Sequence, residues 1–393
     1  MNKNELAKVL GASLNYAEVR GFAGYDPYDA LNTSWKWLKK GKWPPVLAIQ
    51  VMKRNPINLR SLMGIKPVQN AKGLGLFLEA LALLEKQNPG TYREQIQELL
   101  LALKSNATPG YSGTCWGYPF DWASPVKVLP AGSPTIVATG FVAKGLYEAA
   151  SCGDFPLAEE LLKGIELFIL NDLPRFEDET GLCISYSTVK KDCCYNATML
   201  AAGYFARLYK LSGDEEHRTL ATRIAEFVVQ RQQPDGRWDY SVDLDTGKVR
   251  VQTDFHQGFI LDSLIETMQY LGERPKPWVD ALTHGADFYF EQQFAINGRS
   301  YFRLPRRFPA DVHHQAQGII TACRLRNMGR DESDRAHRMT AWALKHLYDG
   351  KGSFYYRYFA WFTDKTRYMR WGQAWMTLAL ALYHTSYAQD QPE

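Results

Sequence analysis

The sequence predicts an all-α protein, a single (α/α)6 toroid of six helical hairpins that spans residues 1–393. Three observations favour this fold class: an internal repeat, two alternating kinds of helical run, and long polar loops that fall on one side of the repeat. Residues 1–35 are expected to form an N-terminal extension and first loop. No stretch rich in proline, serine and glycine divides the chain, which favours one domain.

The first kind of helical run is apolar nearly all round and rich in alanine and glycine. Helices of this composition are buried on every side, so they are expected to line the inside of the ring. A regular step between such runs indicates a repeat architecture. The steps between successive starts are 65, 61, 59, 58 and 58 residues. The runs start at Asn70, Thr135, Asn196, Phe255, His313 and Trp371.

The second kind of run is longer, more charged and amphipathic. TYREQIQELLLALK and EEHRTLATRIAEFVVQRQ place apolar residues at i, i+3, i+4 and i+7, the pattern of a helix with one buried face. An open solenoid of the same hairpins is the alternative, and the count of six favours the closed ring. The six runs cover approximately 36–54, 91–106, 156–173, 215–233, 276–294 and 332–349.

The loops that lead from an outer to an inner helix are long and rich in acidic, basic and aromatic residues. They all lie at one end of the ring, which is where we expect the functional site. Two of them end in the same pattern, with Asp254 and His256 in TDFHQGF and with Asp311 and His313 in ADVHHQ. These four residues are the predicted catalytic groups, and helix capping by the two aspartates is the structural alternative.

Aromatic and polar side chains in the same loops suit a carbohydrate ligand, because aromatic rings stack on sugar faces and planar polar groups bind hydroxyls. Each has a structural alternative: core packing for the tryptophans, helix capping for the asparagine, and pairing with buried acids for the arginines. The predicted substrate-binding residues are Trp116, Tyr118, Asp121, Trp122, Tyr195, Asn196, Trp238, Tyr240, Arg307, Tyr368, Arg370 and Trp371.

Composition and charge narrow the possible partners and the compartment. The formal net charge is +4 and the basic residues are scattered, so neither nucleic acid nor an anionic membrane is expected as a partner. The start of the chain lacks the apolar segment of a signal peptide, and no run is long enough for membrane insertion. Six cysteines without disulfide-like spacing lead us to expect a reduced, cytoplasmic protein, whereas the oligomeric state is not indicated.

The favoured functional hypothesis is a carbohydrate-active protein that acts on a glycan or sugar in the cavity of the toroid. Asp254 and Asp311 lie on neighbouring hairpins and are candidates for the two carboxylates of a glycoside hydrolase, with Asp121 as a third. An epimerase or a lyase needs a base beside a carbonyl or carboxylate group, for which His256, His313 and Tyr368 are candidates. The sequence leaves these three chemistries open.

Six segments resemble an uncharacterised group of bacterial toroid proteins associated with exopolysaccharide and O-antigen synthesis. They are WGYPFDWASP (116–125), SPTIVATGFV (133–142), QPDGRWDYS (233–241), DFHQGFILDSL (254–264), DVHHQAQGI (311–319) and YMRWGQAWM (368–376). The resemblance implies a glycan context and the six-hairpin architecture, and it brings no catalytic residues. At the superfamily level the chain is similar to six-hairpin glycosidases, N-acyl-glucosamine epimerases and polysaccharide lyases, although it lacks their diagnostic motifs.

Two other functional hypotheses remain open. The first is a toroid similar to terpene cyclases or prenyltransferases, with a zinc site. QQPDGRW (232–238), with Phe227 before it, resembles the QW repeat of terpene cyclases. Asp192, Cys194 and His256 resemble the zinc ligands of the protein prenyltransferase β-subunit, so zinc is the alternative to an expectation of no cofactor. A non-catalytic glycan-binding or scaffold protein is the remaining alternative, because fold does not imply catalysis.

Overall fold

The computed structural model describes residues 3–123 and 128–387, and most of these are helical. Two short 3₁₀ turns, Asp29–Asn32 and Lys36–Lys39, precede α2, and two π-helical stretches, Phe168–Asp172 and Met369–Ala374, follow α6 and precede α13. The helices are α1 (Lys3–Glu18), α2 (Trp43–Arg54), α3 (Ala71–Gln87), α4 (Arg93–Ser105), α5 (Ile136–Ala150), α6 (Pro156–Leu167), α7 (Tyr195–Ser212), α8 (Glu215–Val229), α9 (His256–Leu271), α10 (Lys276–Gln293), α11 (Val312–Arg326), α12 (Ser333–His346) and α13 (Trp375–Tyr387).

Short antiparallel strands stiffen the long loops at one end of the molecule. β5 pairs with β6, and β8 with β9, so neighbouring loops are joined by backbone hydrogen bonds. The strands are β1 (Trp122–Ala123), β2 (Val128–Leu129), β3 (Arg175–Asp178), β4 (Gly181–Ile184), β5 (Cys193–Cys194), β6 (Ser241–Val242), β7 (Val249–Arg250), β8 (Ala310–Asp311), β9 (Arg357–Tyr358) and β10 (Thr363–Asp364).

Six helices form a closed inner ring. α3, α5, α7, α9, α11 and α13 each pack against the next, and α13 packs back against α3. Glycine permits this close packing: a Cβ atom on Gly145 of α5 would lie 2.3 Å from the carbonyl oxygen of Gly75 in α3. Outside the ring, α4, α6, α8, α10 and α12 pack on the inner helices that precede them, and α1 packs on α13. The predicted (α/α)6 toroid is therefore confirmed: five inner helices start within one residue of the predicted position, and α13 starts four residues after Trp371, behind the π-helical stretch Met369–Ala374.

The first outer helix differs from the prediction. Residues 3–18, predicted to belong to an extension, form α1, whose Leu6, Leu10 and Leu14 are buried in the main core. Residues 36–54, predicted to be an outer helix, contain α2, which packs in a small separate cluster. The reason is that α2 is also amphipathic, but its buried face meets loop residues instead of an inner helix.

Inner-helix side chains hold the long loops in place. Gln257 of α9 accepts a hydrogen bond from the backbone N–H of Trp238 at 2.9 Å and donates to the carbonyl of the same residue at 2.6 Å. Gln373 binds both backbone groups of Phe354 at 2.8 Å in the same manner. Gln315 of α11 accepts a hydrogen bond from the backbone N–H of Ser300 and donates one to the carbonyl of Gly298, both in the loop before α11. These buried amides replace missing strand partners and fix each loop relative to its helix.

Ion pairs between inner helices fill the axis of the ring. Glu266 of α9 accepts from Lys144 of α5 at 3.0 Å and pairs with Arg207 of α7 at 3.0 Å. Arg324 of α11 contacts Glu266 as well, and it reaches Glu79 of α3 at 2.5 Å. The five side chains are at most 9% exposed. They lie about two to three turns beyond the loop-end starts of their helices, so they form a floor beneath the loops.

Three further expectations concern the whole chain. The six cysteines are all free, as their spacing predicted. Within the described ranges, no helix has the length and apolar character needed to cross a membrane. The single-domain organisation and the cytoplasmic location stay predictions.

Replacing Glu266 with leucine is expected to lower the free energy of unfolding by about 3–5 kcal/mol, because three buried cations lose their shared carboxylate. Urea titration followed by circular dichroism measures this change. Glu160→Gln is the matched control, since its pair with Lys104 is more than half exposed on both sides and is worth about 0–1 kcal/mol. Equal stability of the two variants would show that the axial ion pairs do not hold the ring.

Candidate active site

Asp254 and His256 form a hydrogen-bonded pair at the start of α9. The ring nitrogen Nδ1 of His256 lies 2.5 Å from Oδ1 of Asp254. A carboxylate only accepts, so Nδ1 carries the proton and Nε2 is the basic nitrogen of the neutral ring. The side chain of Asp254 is 2% exposed and that of His256 is 16% exposed, so the pair is buried behind an accessible imidazole.

Two neighbouring side chains hold the Asp254 carboxylate. Gln252 Nε2 donates to Oδ2 at 2.9 Å, and Arg303 Nε donates to the same oxygen at 3.2 Å. Burial acts to raise the pKa of Asp254, but the nearby charges of His256 and Arg303 outweigh it and lower the pKa to about 2. Asp254 is therefore ionised at neutral pH and serves as an anionic partner for the imidazole.

The capping alternative has a different outcome at the two aspartates. Asp311 is the N-cap of α11, and its Oδ1 accepts from the backbone N–H of His313 at 3.1 Å. Arg357 and Trp371 donate to the remaining sites of the Asp311 carboxylate at 2.7 and 2.8 Å. Asp254 lies one residue before the cap position of α9 and accepts from the N–H of His256 at only 3.3 Å. Asp311 thus caps its helix and binds Arg357 and Trp371, whereas Asp254 caps weakly and binds the side chains of His256, Gln252 and Arg303.

His313 lies in an aromatic cluster that we define as Phe255, Phe259, Trp371 and Trp375. Its ring stacks on Phe255 and Trp375 at centroid distances of 4.2 and 4.3 Å, and Trp371 meets it edge-on at 4.4 Å. Neither ring nitrogen has a hydrogen-bond partner among the described residues. Burial, followed by the nearby charge of Lys72, places the pKa of His313 well below its usual value, so the ring is neutral. His313 is therefore a neutral, buried imidazole whose two nitrogens make no hydrogen bond to the described residues.

His314 has a structural environment, in contrast to its neighbour in the sequence. Its Nδ1 donates to the carbonyl oxygen of Tyr301 at 2.8 Å, which fixes the tautomer and ties the fifth loop to α11. The ring stacks on Tyr289 and lies edge-on to Phe294. Burial lowers the pKa of His314 to about 4, so this histidine is neutral at physiological pH.

Lys72 is a site residue that the sequence did not single out. It lies in the first turn of α3, and its Nζ is 3.9 Å from the ring centre of Phe141 and 5.1 Å from those of Phe259 and Trp375. No carboxylate in the described part of the chain lies within ion-pair distance of this nitrogen. Burial, followed by the charge of Arg370, lowers the pKa of Lys72 well below its usual value. The only sequence signal was a lysine inside an otherwise apolar inner helix.

Arg370 and Trp371, both predicted to bind substrate, lie next to each other at the aromatic cluster, and each donates to a buried carboxylate. Arg370 makes two hydrogen bonds to Asp26, at 2.6 and 2.8 Å, and Trp371 Nε1 donates to Asp311. Tyr118 lies under the Arg370 guanidinium, 5.2 Å from ring centre to Cζ. The structural alternative for Arg370, pairing with a buried acid, therefore describes its geometry.

Tyr240, a predicted binding residue, contacts the Asp254–His256 pair. Its ring meets the His256 imidazole edge-on at a centroid distance of 4.9 Å. Arg250 lies over the other part of the same ring, 4.6 Å from the centroid. Tyr240 thus fixes the orientation of the imidazole plane.

Three predicted binding residues are core residues. Trp116 and Trp238 are fully buried, and their indole N–H groups donate to the carbonyls of Leu103 and Val228 at 2.8 and 2.9 Å. Tyr368 is likewise buried, with the Arg60 guanidinium 4.8 Å above its ring. For these residues the packing alternative describes the structure.

The remaining predicted binding residues lie around the loops without converging on His256. Asp121 accepts from the backbone of Ala131 at 2.8 Å, and Trp122 is half-buried in β1, next to residues 124–127, which lie outside the described residues. Tyr195 and Asn196 begin α7 as buried residues, where Asn196 accepts from the Cys194 thiol at 3.1 Å. Arg307 is exposed over Tyr301.

The geometry gives no support to the zinc alternative. Across residues 3–123 and 128–387, no three histidine, cysteine, aspartate or glutamate side chains form a group that could hold a metal ion. Asp192 accepts from the backbone N–H of Tyr186 at 2.7 Å, and Cys194 donates to Asn196. Burial raises the pKa of the Cys194 thiol to about 12, which disfavours the thiolate that zinc requires. His256 is bound to Asp254 instead.

Comparison with solved structures finds the same fold in sugar-processing enzymes. A glycoside hydrolase family 76 α-mannanase from Bacteroides thetaiotaomicron superposes with a TM-score of 0.65 at 15% identity, over 82% of this chain and 88% of that one. A cellobiose 2-epimerase from Bacillus thermoamylovorans gives 0.64 at 12% identity, over 81% and 87%. A family 76 mannosidase from Bacteroides thetaiotaomicron gives 0.65 at 11% identity, over 98% and 100%.

These identities establish the toroid fold and not the reaction. No protein-family model matches the chain, and no curated protein matches it either. The same fold is found in a mannanase and in an epimerase.

Replacing His314 with glutamine is expected to flatten the pH dependence of stability. The folded pKa of His314, about 4, lies below the unfolded value of about 6.5, so the unfolded chain binds the extra proton first and stability falls as the pH drops through this window. This single group accounts for a loss of about 3 kcal/mol between pH 6.5 and 4. Urea unfolding of wild type and variant at several pH values within the window measures it. Parallel curves would show that His314 is protonated in the folded protein.

Proposed function

We propose that the protein is a carbohydrate-active enzyme that moves a proton at a sugar carbon next to a carbonyl group, as an epimerase or isomerase does. The observation that supports this most is the Asp254–His256 pair, in which a buried carboxylate orients a reachable imidazole. A neutral imidazole can accept a proton at Nε2 and, once protonated, can return it. The reaction requires no other redox partner, because the product is an isomer of the substrate.

In the proposed reaction, Nε2 of His256 removes the proton from the sugar carbon. The electron pair of the broken C–H bond forms a C=C bond, and the carbonyl oxygen becomes the oxygen of an enediolate. Asp254 stabilises the imidazolium that forms. Return of the proton to the same carbon, after the enediolate has turned its other face to Nε2, restores the carbonyl group and gives the epimer. Return of the proton to the neighbouring carbon, with transfer of the hydroxyl proton to the former carbonyl oxygen, gives the isomer. Arg303, exposed beside the pair, is the cation available to the developing oxyanion.

The same residues argue against a hydrolase built on the two predicted aspartates. A glycosidase of the usual type needs one carboxylic acid that is protonated at neutral pH and one free carboxylate. Asp254, with a pKa of about 2, is no acid at neutral pH. Asp311 accepts two hydrogen bonds at Oδ1, and Oδ2 pairs with the buried Arg357 guanidinium, so this carboxylate is engaged in structural bonds.

Similar proteins support the choice of a sugar as the substrate. Among the neighbours in fold are a cellobiose 2-epimerase, a D-mannose isomerase and the family 76 mannanase. The resemblance to toroids associated with exopolysaccharide synthesis supports a sugar from polysaccharide metabolism. The proposal includes a cytoplasmic location, where free sugars or sugar precursors are processed.

His313 and Lys72 are proposed to bind the polar groups of the substrate. The two ring nitrogens of His313 are buried without a hydrogen-bond partner in the described residues, the Lys72 side chain is buried among aromatic rings, and both residues contact Phe259 and Trp375. Leaving such groups unpaired costs about 1–3 kcal/mol each, so a ligand that supplies hydroxyl groups would gain that energy.

Asp254→Asn and His256→Gln are expected to reduce sugar interconversion by roughly 10²–10⁴-fold, because they remove the partner and the base. The measurement is product formation from mannose, glucose, fructose and cellobiose, followed by anion-exchange chromatography. Asp235→Asn, an exposed loop carboxylate on the same face, is the matched control. Release of monosaccharide from oligosaccharides, with no isomer formed, would replace the proposal with a hydrolase.

Lys72→Met is expected to preserve or raise the melting temperature while lowering activity. Methionine fills the same volume without burying an amine among Phe141, Phe259 and Trp375. A role in catalysis or binding predicts a loss of roughly tenfold or more in kcat/KM, with Lys144→Met as a comparison that destabilises the axis instead. Full activity in the Lys72 variant would remove this residue from the site.

A further inference from the structure

An exposed apolar surface lies on the segment that the ring does not use. Between residues 35 and 62, seven large apolar side chains are 40–72% exposed: Trp35, Trp37, Trp43, Leu47, Val51, Ile57 and Leu62. Isolated exposed apolar residues are ordinary, but a concentration of this kind marks an interaction site. We define these seven side chains as the docking surface.

α2 is apolar on two opposite faces. Val46, Ile49 and Met52 face the small cluster beneath the helix, where they are buried. Trp43 and Leu47, with Val51 one turn further on, repeat every four residues and form an exposed stripe on the other side. The inner face accounts for the folding of α2, and the exposed stripe has no folding role.

The same segment is purely basic. Residues 30–78 contain no aspartate or glutamate. Five lysines and one arginine are exposed around the docking surface: Lys36, Lys39, Lys40, Lys42, Arg54 and Lys66. The chain as a whole has 46 basic and 42 acidic residues, so this segment concentrates positive charge that is balanced elsewhere. Its partner is therefore negatively charged as well as apolar.

We propose that the docking surface binds the surface of an anionic lipid bilayer. Tryptophan prefers the level of the lipid headgroups, and lysine side chains extend from there to anionic phosphates. A protein partner is disfavoured because lysine is depleted in protein interfaces, and a nucleic acid is disfavoured because phosphates do not require leucine, valine and isoleucine. The small net charge and the scattered basic residues led us to expect no anionic membrane as a partner. The exposed lysines and apolar side chains of this segment come together only when α2 folds.

The docking surface adjoins the mouth of the candidate site. Lys53 of α2 donates to the hydroxyl of Tyr28, whose ring meets Trp371 edge-on at 5.6 Å. Asn32 donates to the carbonyl of Pro119 at 3.0 Å, which joins the segment to the long loop between α4 and α5. Binding to a bilayer would therefore hold the loop end of the toroid close to the membrane. The inference does not rest on the proposed reaction.

Vesicle cosedimentation of the full-length protein tests the inference. Vesicles of phosphatidylcholine mixed with phosphatidylglycerol are expected to bind the protein at low salt. Vesicles of phosphatidylcholine alone are expected to bind it with an affinity at least roughly tenfold lower. Two multiple variants should each reduce binding by roughly tenfold or more. The apolar variant combines Trp43→Ser, Leu47→Ser and Val51→Ser. The basic variant combines Lys36→Gln, Lys39→Gln, Lys40→Gln and Lys42→Gln. Each variant must retain the wild-type circular dichroism spectrum and melting temperature.

Leu101→Ser with Leu167→Ser and Ile296→Ser is the matched control, since these side chains are as exposed but lie on the outer helices and a loop. The control is expected to bind vesicles as wild type does. Several results overturn the proposal: no binding to anionic vesicles, equal binding by all variants, or binding of single-stranded RNA lost only with the lysines. A dimer that the apolar variant converts to monomer, without any vesicle binding, would assign the surface to a second copy of the chain.

Discussion

The buried ion pairs on the axis are the constraint on which the rest of the structure depends. Inner helices packed in a ring leave a central space, and this chain closes it with Glu79, Lys144, Arg207, Glu266 and Arg324 from five of the six helices. Each charge is compensated only when its neighbours around the ring are in place, so the network specifies closure as well as helix order. Above this floor, the starts of the inner helices and the loops are free to carry a site.

Position explains why capping and chemistry occur at the same end of the helices. The start of an inner helix needs a cap, and Asp311 supplies one to α11. At α9 the acid has moved one residue outward, so its carboxylate binds an imidazole in place of a strong backbone cap. The difference of one residue converts a structural aspartate into a partner for a base. The two copies of the Asp-x-His pattern therefore lie in different environments: Asp311 caps its helix, whereas Asp254 binds the imidazole of His256.

Much of the fold was predictable from the sequence, since the inner helices repeat near every 60 residues and are apolar all round. The first hairpin was predicted wrongly because α1 and α2 are both amphipathic, and periodicity does not reveal which partner a buried face will meet. Lys72 was missed for a related reason: its aromatic surroundings come from helices far away in the sequence. Trp116 and Trp238 were assigned to ligand binding because nothing in the sequence shows that their indole groups meet buried carbonyls.

The central claim is that His256, held by Asp254, exchanges a proton with a carbon atom of a sugar. Proton NMR of mannose, glucose, fructose and cellobiose incubated with the enzyme in D₂O tests it most directly. The account predicts that wild-type protein replaces the hydrogen next to the carbonyl carbon of at least one of these sugars with deuterium, and that His256→Gln does not. Retention of every carbon-bound hydrogen by the wild-type protein, while it cleaves a glycosidic bond or binds the sugar unchanged, would contradict the claim.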